Sequence, residues 1–131
     1  MNILITGTNG FIGGNLKDYF LNKNYNLHTP KRNSLDLLNK NLVKDYLTKN
    51  QFDVIIHSAV TLNSIDQNLK MYFNIESCSK YFGKLICIGS GAEYDRRNYI
   101  PKMRETYYGK SIPEKKDIYG YSKYIIASDI I

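Results

Sequence analysis

Apolar residues in this chain follow two rhythms. Unbroken runs of strand length occur at NILIT (2–6), FDVIIHSAV (52–60) and GKLICIGS (83–90). A weaker run, YNLHTP (25–30), ends at Pro30. Between them the apolar positions fall at helical spacing. Phe11, Ile12, Leu16, Tyr19 and Phe20 form one such set, and Leu42, Val43, Tyr46 and Leu47 line one face of a polar segment at 39–50. Helical patterns return at 65–82 and from Tyr119 to Ile131, and the Tyr-, Arg-, Lys-, Gly- and Pro-rich stretch 91–116 reads as loop. Continuous apolar strands alternating with helices predict an α/β fold. Its parallel sheet should be covered by helices on both faces, a three-layer doubly wound arrangement.

The first strand runs directly into TGTNGFIGG, where Gly7, Gly10 and Gly13 are spaced G-x-x-G-x-x-G and Gly14 follows. After a strand and at the opening of a helix, glycines permit a tight turn and a close approach of backbone to a pyrophosphate. The helix N-terminus offers free N–H groups to that anion. The same residues would also make a plain strand-to-helix turn; their context favours a dinucleotide and a Rossmann-type sheet. An acidic residue closing the second strand would hold the ribose hydroxyls of NAD. Here that strand ends in HTPKRNS. Lys31 and Arg32 could pair with a 2′-phosphate, which favours NADP over NAD.

The 131 residues suit one domain. The formal charge of +6 is spread along the chain, the densest groups being Lys31-Arg32, Arg96-Arg97 and Lys115-Lys116. That scatter argues against nucleic acid and suits a small anionic ligand. Cys78 and Cys87 lack CxxC spacing, and His28 and His57 are far apart, so neither a metal site nor a disulfide framework is expected. No apolar run reaches the roughly 20 residues a bilayer span requires. Met1 leads straight into a strand without a signal-like segment, so the expected compartment is the cytoplasm.

Five stretches, in order, resemble the extended short-chain dehydrogenase/reductase family, which includes sugar-nucleotide epimerases, dehydratases and reductases. TGTNGFIGG resembles its cofactor loop, which implies cofactor contacts at Gly7, Asn9, Gly10, Phe11, Ile12 and Gly13. SLDL resembles the segment packing on the adenine, assigning Asp36 and Leu37, and IIHSAV resembles the cofactor-lining turn, assigning His57, Ser58 and Ala59. CIGSGAEYD resembles the strand end with the catalytic serine, which is Ser90, four residues before Tyr94. YGYSK is similar to the Y-x-x-x-K motif, giving Tyr119 and Lys123, 29 residues after Ser90. A second Y-x-x-x-K, Tyr19 and Lys23, lies in the first helical pattern and reads as chance.

A tyrosine with a reference pKa near ~10 is a poor base at neutral pH, and a neighbouring ammonium favours its phenolate. Tyr119 and Lys123 at i, i+4 share a helix face. Tyr119 would exchange a proton with the substrate while the nicotinamide exchanges hydride, and Ser90 would polarise the same oxygen. The resemblance also places Lys123 on the nicotinamide ribose.

The layout is most similar to the 4-keto reductases and GDP-fucose-synthase-like enzymes, with a nucleotide-sugar as substrate. Where those synthases carry a cysteine just after the catalytic serine, this chain has Ala92, which removes one candidate epimerisation acid. Glu93 and Asp95 are open between substrate contact and loop structure. The helical pattern stops at Ile131 without a cap, and nothing corresponds to the family's C-terminal substrate lobe. The expectation is therefore a dinucleotide-binding domain over 1–131, truncated before that lobe and weakly active or inactive by itself. A homodimer through the helices flanking the sheet is also expected. The alternative is a non-catalytic NADP-binding sensor or interaction module.

Overall fold

The structure, a computed structural model, describes residues 1–131. Eight main elements follow in the order β1 (Asn2–Thr6), α1 (Phe11–Leu21), β2 (Asn26–His28), α2 (Lys40–Asn50), β3 (Phe52–His57), α3 (Ile65–Glu76), β4 (Phe82–Cys87) and α4 (Ile118–Ile130). The four strands form one parallel sheet in the order β2-β1-β3-β4. The chain divides into two compact units. One holds Met1–Val60 and Lys70–Ile88, the other Thr61–Leu69 and Gly89–Ile131.

In the first unit the sheet is the middle layer. Leu4 and Ile55 face Val43 and Leu47 of α2 and Ile75 of α3. Ile3, Ile5 and Ile56 face the opposite way, where Leu16 and Phe20 of α1 pack. Alternate residues of β1 and β3 therefore feed two cores, which is why both strands read as unbroken apolar runs. Leu47 and Ile55 are fully buried, each stabilising the unit by about 1.5–3 kcal/mol relative to exposure. The register Ile5↔Ile56 and Thr6↔His57 brings the carboxyl ends of β1 and β3 level.

Several expected boundaries move. β2 keeps only Asn26–His28 of the run 25–30, because as an edge strand it pairs with β1 alone. The helix expected over 65–82 ends at Glu76. Ser77 Oγ donates to the Asn74 carbonyl, and buried Cys78 leads into a short 3₁₀ turn at Ser79–Tyr81. β4 starts at Phe82 and ends at Cys87, short of the run 83–90. It is also not buried on both faces, since Gly83, Lys84 and Ile86 are exposed at the sheet edge. The loop 91–116 contains 3₁₀ turns at Gly91–Tyr94, Arg96–Asn98 and Glu105–Tyr107.

α2 begins where Asn39 Oδ1 accepts from the Leu42 N–H at 3.1 Å, relieving one orphan donor of the first turn. It ends at Gln51, whose φ of +48° is left-handed and whose N–H closes on the Leu47 carbonyl. A side chain in that region costs about 1–2 kcal/mol. Gln51→Gly is expected to stabilise the chain by roughly 1 kcal/mol. Urea unfolding checks this, and an unchanged or lowered midpoint would contradict it.

Candidate functional site

Strand order reverses between β1 and β3. β1 connects to β2 on one side, and β3 leads to β4 on the other. In such sheets the crevice outside the carboxyl ends at this switch point receives ligands. Gly7 follows β1 there with φ +73°. A Cβ on it would lie 2.5 Å from the Ala59 nitrogen, and one on Gly13 would lie 2.3 Å from the Gly7 carbonyl oxygen and 2.7 Å from Ser58 Oγ. The loop, the start of α1 and the turn after β3 thus meet backbone to backbone. Ser58 Oγ donates to the Thr6 carbonyl at 2.8 Å, tying the two strand ends together.

α1 opens at Gly10 with no side-chain cap and no acidic residue in its first turn. No cap side chain and no first-turn carboxylate of this helix compete for its first N–H groups, an arrangement with the closeness and polarity that suit an anion such as a pyrophosphate. Phe11 and Ile12 stand exposed at its mouth, 87% and 47% accessible, and Asn9 is exposed beside them.

The other cofactor candidates occupy varied positions. His57 is buried, and its Nδ1 shares a 2.8 Å hydrogen bond with Thr6 Oγ1. The Leu37 side chain lies in the core beside Leu35 and Val43, and its carbonyl accepts from Asn74 Nδ2. Asp36 Oδ1 accepts from the Leu38 N–H. Lys31 and Arg32 follow β2 on the surface. Arg32 Nε sits 4.0 Å from Asp36 Oδ1 across an exposed pair, too weak a contact to hold that arginine away from an anion.

The second unit carries Ser90, Tyr119 and Lys123. Ser90 Oγ accepts from the Ala92 N–H at 3.2 Å and caps the turn that follows it. This use of a lone pair leaves the hydroxyl proton to donate. α4 starts one residue earlier than the periodicity implies, because Asp117 Oδ1 accepts from the Gly120 N–H at 2.9 Å. An Asp immediately before an apolar run was the readable signal for that start. A Cβ on Gly120 would meet the Ala92 carbonyl oxygen at 2.8 Å. α4 and the Ser90 turn are therefore in van der Waals contact at the residue after Tyr119.

Lys123 is buried, 9% accessible, with Nζ 5.7 Å from the centre of the Tyr119 ring. The surface copy, Lys23 over Tyr19, has a similar cation–ring distance of 4.8 Å. Proximity alone is therefore no signature; the two copies differ in burial, since Tyr19 is 61% accessible. Glu93 is half-buried near the same groups. Burial pushes its carboxyl above the usual range, against a hydrogen bond from the Ser90 backbone and the charge of Lys123.

Asp95 is a loop hub. It is 3% accessible with φ +62°. It accepts from Arg97 Nε at 2.9 Å, Arg97 Nη2 at 2.8 Å and Ser111 Oγ at 2.6 Å. Arg97 and Ser111 hold its carboxyl well below the usual carboxylate range. Arg97 also reaches Glu114, Arg96 reaches Asp117 and Lys116 reaches Glu114. The Arg96-Arg97 and Lys115-Lys116 groups are thus tied to carboxylates at 2.6–3.3 Å, closer than the 4.0 Å contact of Arg32 with Asp36. The shallow cleft between Gln51, Asp53, Lys80 and Tyr81 lies at the amino ends of β3 and β4 and contains none of the groups above.

These shifts act in opposite directions on stability. Glu93, raised in the fold, contributes stability present below about pH 4 and lost as pH rises through its folded value. Asp95, depressed in the fold, contributes stability present above about pH 4 and lost as pH falls through its folded value. Urea midpoints should therefore rise as pH falls through the raised Glu93 value and fall again in strong acid. Glu93→Gln is expected to remove the first slope and leave the second. An unaltered slope in that variant would exclude Glu93 as its source.

A parallel doubly wound sheet with a glycine cradle at its switch point defines the Rossmann-like class. Within that class the chain belongs to the NAD dependent epimerase/dehydratase family, which it matches over residues 3–130. It is 30% identical over 109 residues to a GDP-L-colitose synthase from Yersinia pseudotuberculosis, covering 73% of this chain and 35% of that one. A GDP-D-glycero-L-gluco-heptose synthase from Campylobacter jejuni, its crystal structure determined in the presence of NADPH, superposes with a TM-score of 0.79. It is 25% identical, over 97% of this chain and 41% of that one. A GDP-mannoheptose C4 reductase from Campylobacter jejuni with NADP bound shares the fold at a TM-score of 0.84 and 23% identity, over 98% of this chain and 42% of that one. The chain thus spans about two fifths or less of the length of these relatives. No helix is long and apolar enough to cross a membrane.

Proposed function

We propose that this chain is the cofactor-holding and proton-transferring part of an NADP-dependent reductase acting on a GDP-linked 4-keto sugar. The observation that carries the chemistry is the buried Lys123 ammonium beside the Tyr119 ring on one face of α4. The substrate class rests on the names of the GDP-sugar synthases it resembles. The bound nicotinamide would supply hydride to the carbonyl carbon. The Tyr119 hydroxyl gives its proton to the carbonyl oxygen as the C–O double bond opens, and Lys123 stabilises the phenolate left behind. Ser90 donates a hydrogen bond to that oxygen. Gly7, Gly10 and Gly13 admit the pyrophosphate, with Asn9, Phe11 and Ile12 at the same loop. Asp36 and Leu37 border the adenine, and His57, Ser58 and Ala59 support the cradle from β3. Lys123 also holds the nicotinamide ribose.

Lys31 and Arg32 supply the preference for NADP, supported by the lack of any carboxylate between His28 and Arg32. Side-by-side titration with NADPH and NADH tests this. NADPH is expected to bind about tenfold tighter, the worth of one charge-assisted contact. The Lys31→Ala/Arg32→Ala double variant should lose that preference while still binding NADH. Equal affinities in the wild-type chain would overturn the NADP assignment, and binding of neither cofactor would overturn the holding role itself.

A further inference from the structure

The sequence motif singles out Tyr119 and Lys123 and is silent about what fixes the rotation of the helix that carries them. Ser122 lies between them in sequence and is 0% accessible. Its Oγ donates to the Ile118 carbonyl at 2.6 Å and accepts from Asn68 Nδ2 at 3.1 Å. Asn68, on the first part of α3, is 3% accessible. Its Oδ1 accepts from the Thr61 N–H at 2.8 Å and its Nδ2 donates to the Thr61 carbonyl at 2.8 Å.

This network has one consistent direction. The Thr61 N–H can only donate, so the oxygen of the Asn68 amide must face it and the NH₂ must face Ser122. Ser122 then receives that hydrogen bond and sends its own proton to Ile118. Every polar atom of the pair is used, and both side chains are buried.

The geometry points to Asn68 as a positioning residue for Lys123 and Tyr119, acting through Ser122. Apolar packing holds two helices at a given separation but tolerates sliding and rotation. A directional bond to a buried hydroxyl does not. A turn of about 20° about the α4 axis would move a side-chain tip, roughly 6 Å out, by about 2 Å. Misplacement on the order of 1 Å can cost a reacting group about 10²-fold. Asn68 bonds Thr61 and Ser122, and its effect on Tyr119 and Lys123 is carried by the rotational setting of the helix.

This inference rests on the proposed role of Lys123 at the nicotinamide ribose. A double-mutant cycle read by NADPH titration tests it without requiring turnover. Asn68→Ala is expected to weaken NADPH binding about fivefold and Ser122→Ala about threefold, the range for one net hydrogen bond. Lys123→Met is expected to weaken it about tenfold, the range for a charge-assisted bond. Because Asn68 works through Lys123, Asn68→Ala/Lys123→Met and Ser122→Ala/Lys123→Met should bind within about twofold of Lys123→Met alone. Additive losses would overturn the inference, as would wild-type affinity in a folded Asn68→Ala chain. Ser122→Ala removes the bond to Asn68 and the local bond to Ile118 but leaves the Asn68–Thr61 bonds in place, and it keeps the test available if Asn68→Ala does not fold. Failure of the unmodified chain to bind NADPH would overturn the cofactor reading and this inference with it. Binding by the unmodified chain with additive losses in the cycle would overturn this inference alone.

Discussion

Gly7→Ala is expected to cost about 2–5 kcal/mol of stability and to abolish dinucleotide binding. Two terms add. An alanine at a positive φ costs about 1–2 kcal/mol, and φ here is +73°. The new methyl would lie 2.5 Å from the Ala59 nitrogen and 2.7 Å from its Cα. Both are backbone atoms of the turn after β3, and relieving such an overlap costs about 1–3 kcal/mol. Moving that turn would strain the Ser58–Thr6 bond and displace the glycine loop from the strand end. Gly91→Ala is the control, because a Cβ there meets nothing within 4 Å. Urea unfolding and NADPH titration of both variants check this. A loss below about 1 kcal/mol at Gly7 would show that the loop yields easily and that its glycines are a plain turn.

Tyr119→Phe is expected to lower NADPH-dependent reduction of a GDP-linked 4-keto sugar by about 10²–10⁴-fold, the usual worth of a positioned proton donor. NADPH affinity should stay within about twofold, since the proposed ribose contact belongs to Lys123 and the ring remains in place. Single-turnover measurements at high protein concentration separate the two effects. Turnover within about threefold of the unmodified chain would remove Tyr119 from the chemistry, because a positioned acid is worth far more. Unaltered affinity combined with no turnover in either protein would favour the sensor alternative. Ser90 should contribute less, because its hydroxyl only donates to the oxygen that receives the proton.

Much of the sheet was legible from residue order. Ile3, Leu4 and Ile5 sit between two cores, so the three central positions of β1 had to be apolar and the run was unmistakable. β4 was misjudged for the same reason in reverse. As an edge strand it buries one face, and Lys84 and Ile86 are exposed. Its apolar run reports the propensity of Leu85, Ile86 and Cys87 for strand, not burial on two sides.

The site divides in the same way. Glycine spacing after a strand, and Tyr119 with Lys123 four residues apart, are local relations, and local relations survive in a one-dimensional string. From the sequence alone came the doubly wound class, the glycine turn after β1 and a helix carrying a tyrosine four residues before a lysine. The tertiary structure decided the rest. It brought Ala59 against Gly7 and Ser58 against Gly13. It made His57 a buried partner of Thr6. It made Asp95, open in the sequence between substrate contact and loop structure, the hub of a loop, and it set Asn68 against Ser122, 54 positions away. Side chains that act by burial or by a distant hydrogen bond leave no periodic trace, because their partners are chosen by how the chain folds back on itself and not by their neighbours in sequence.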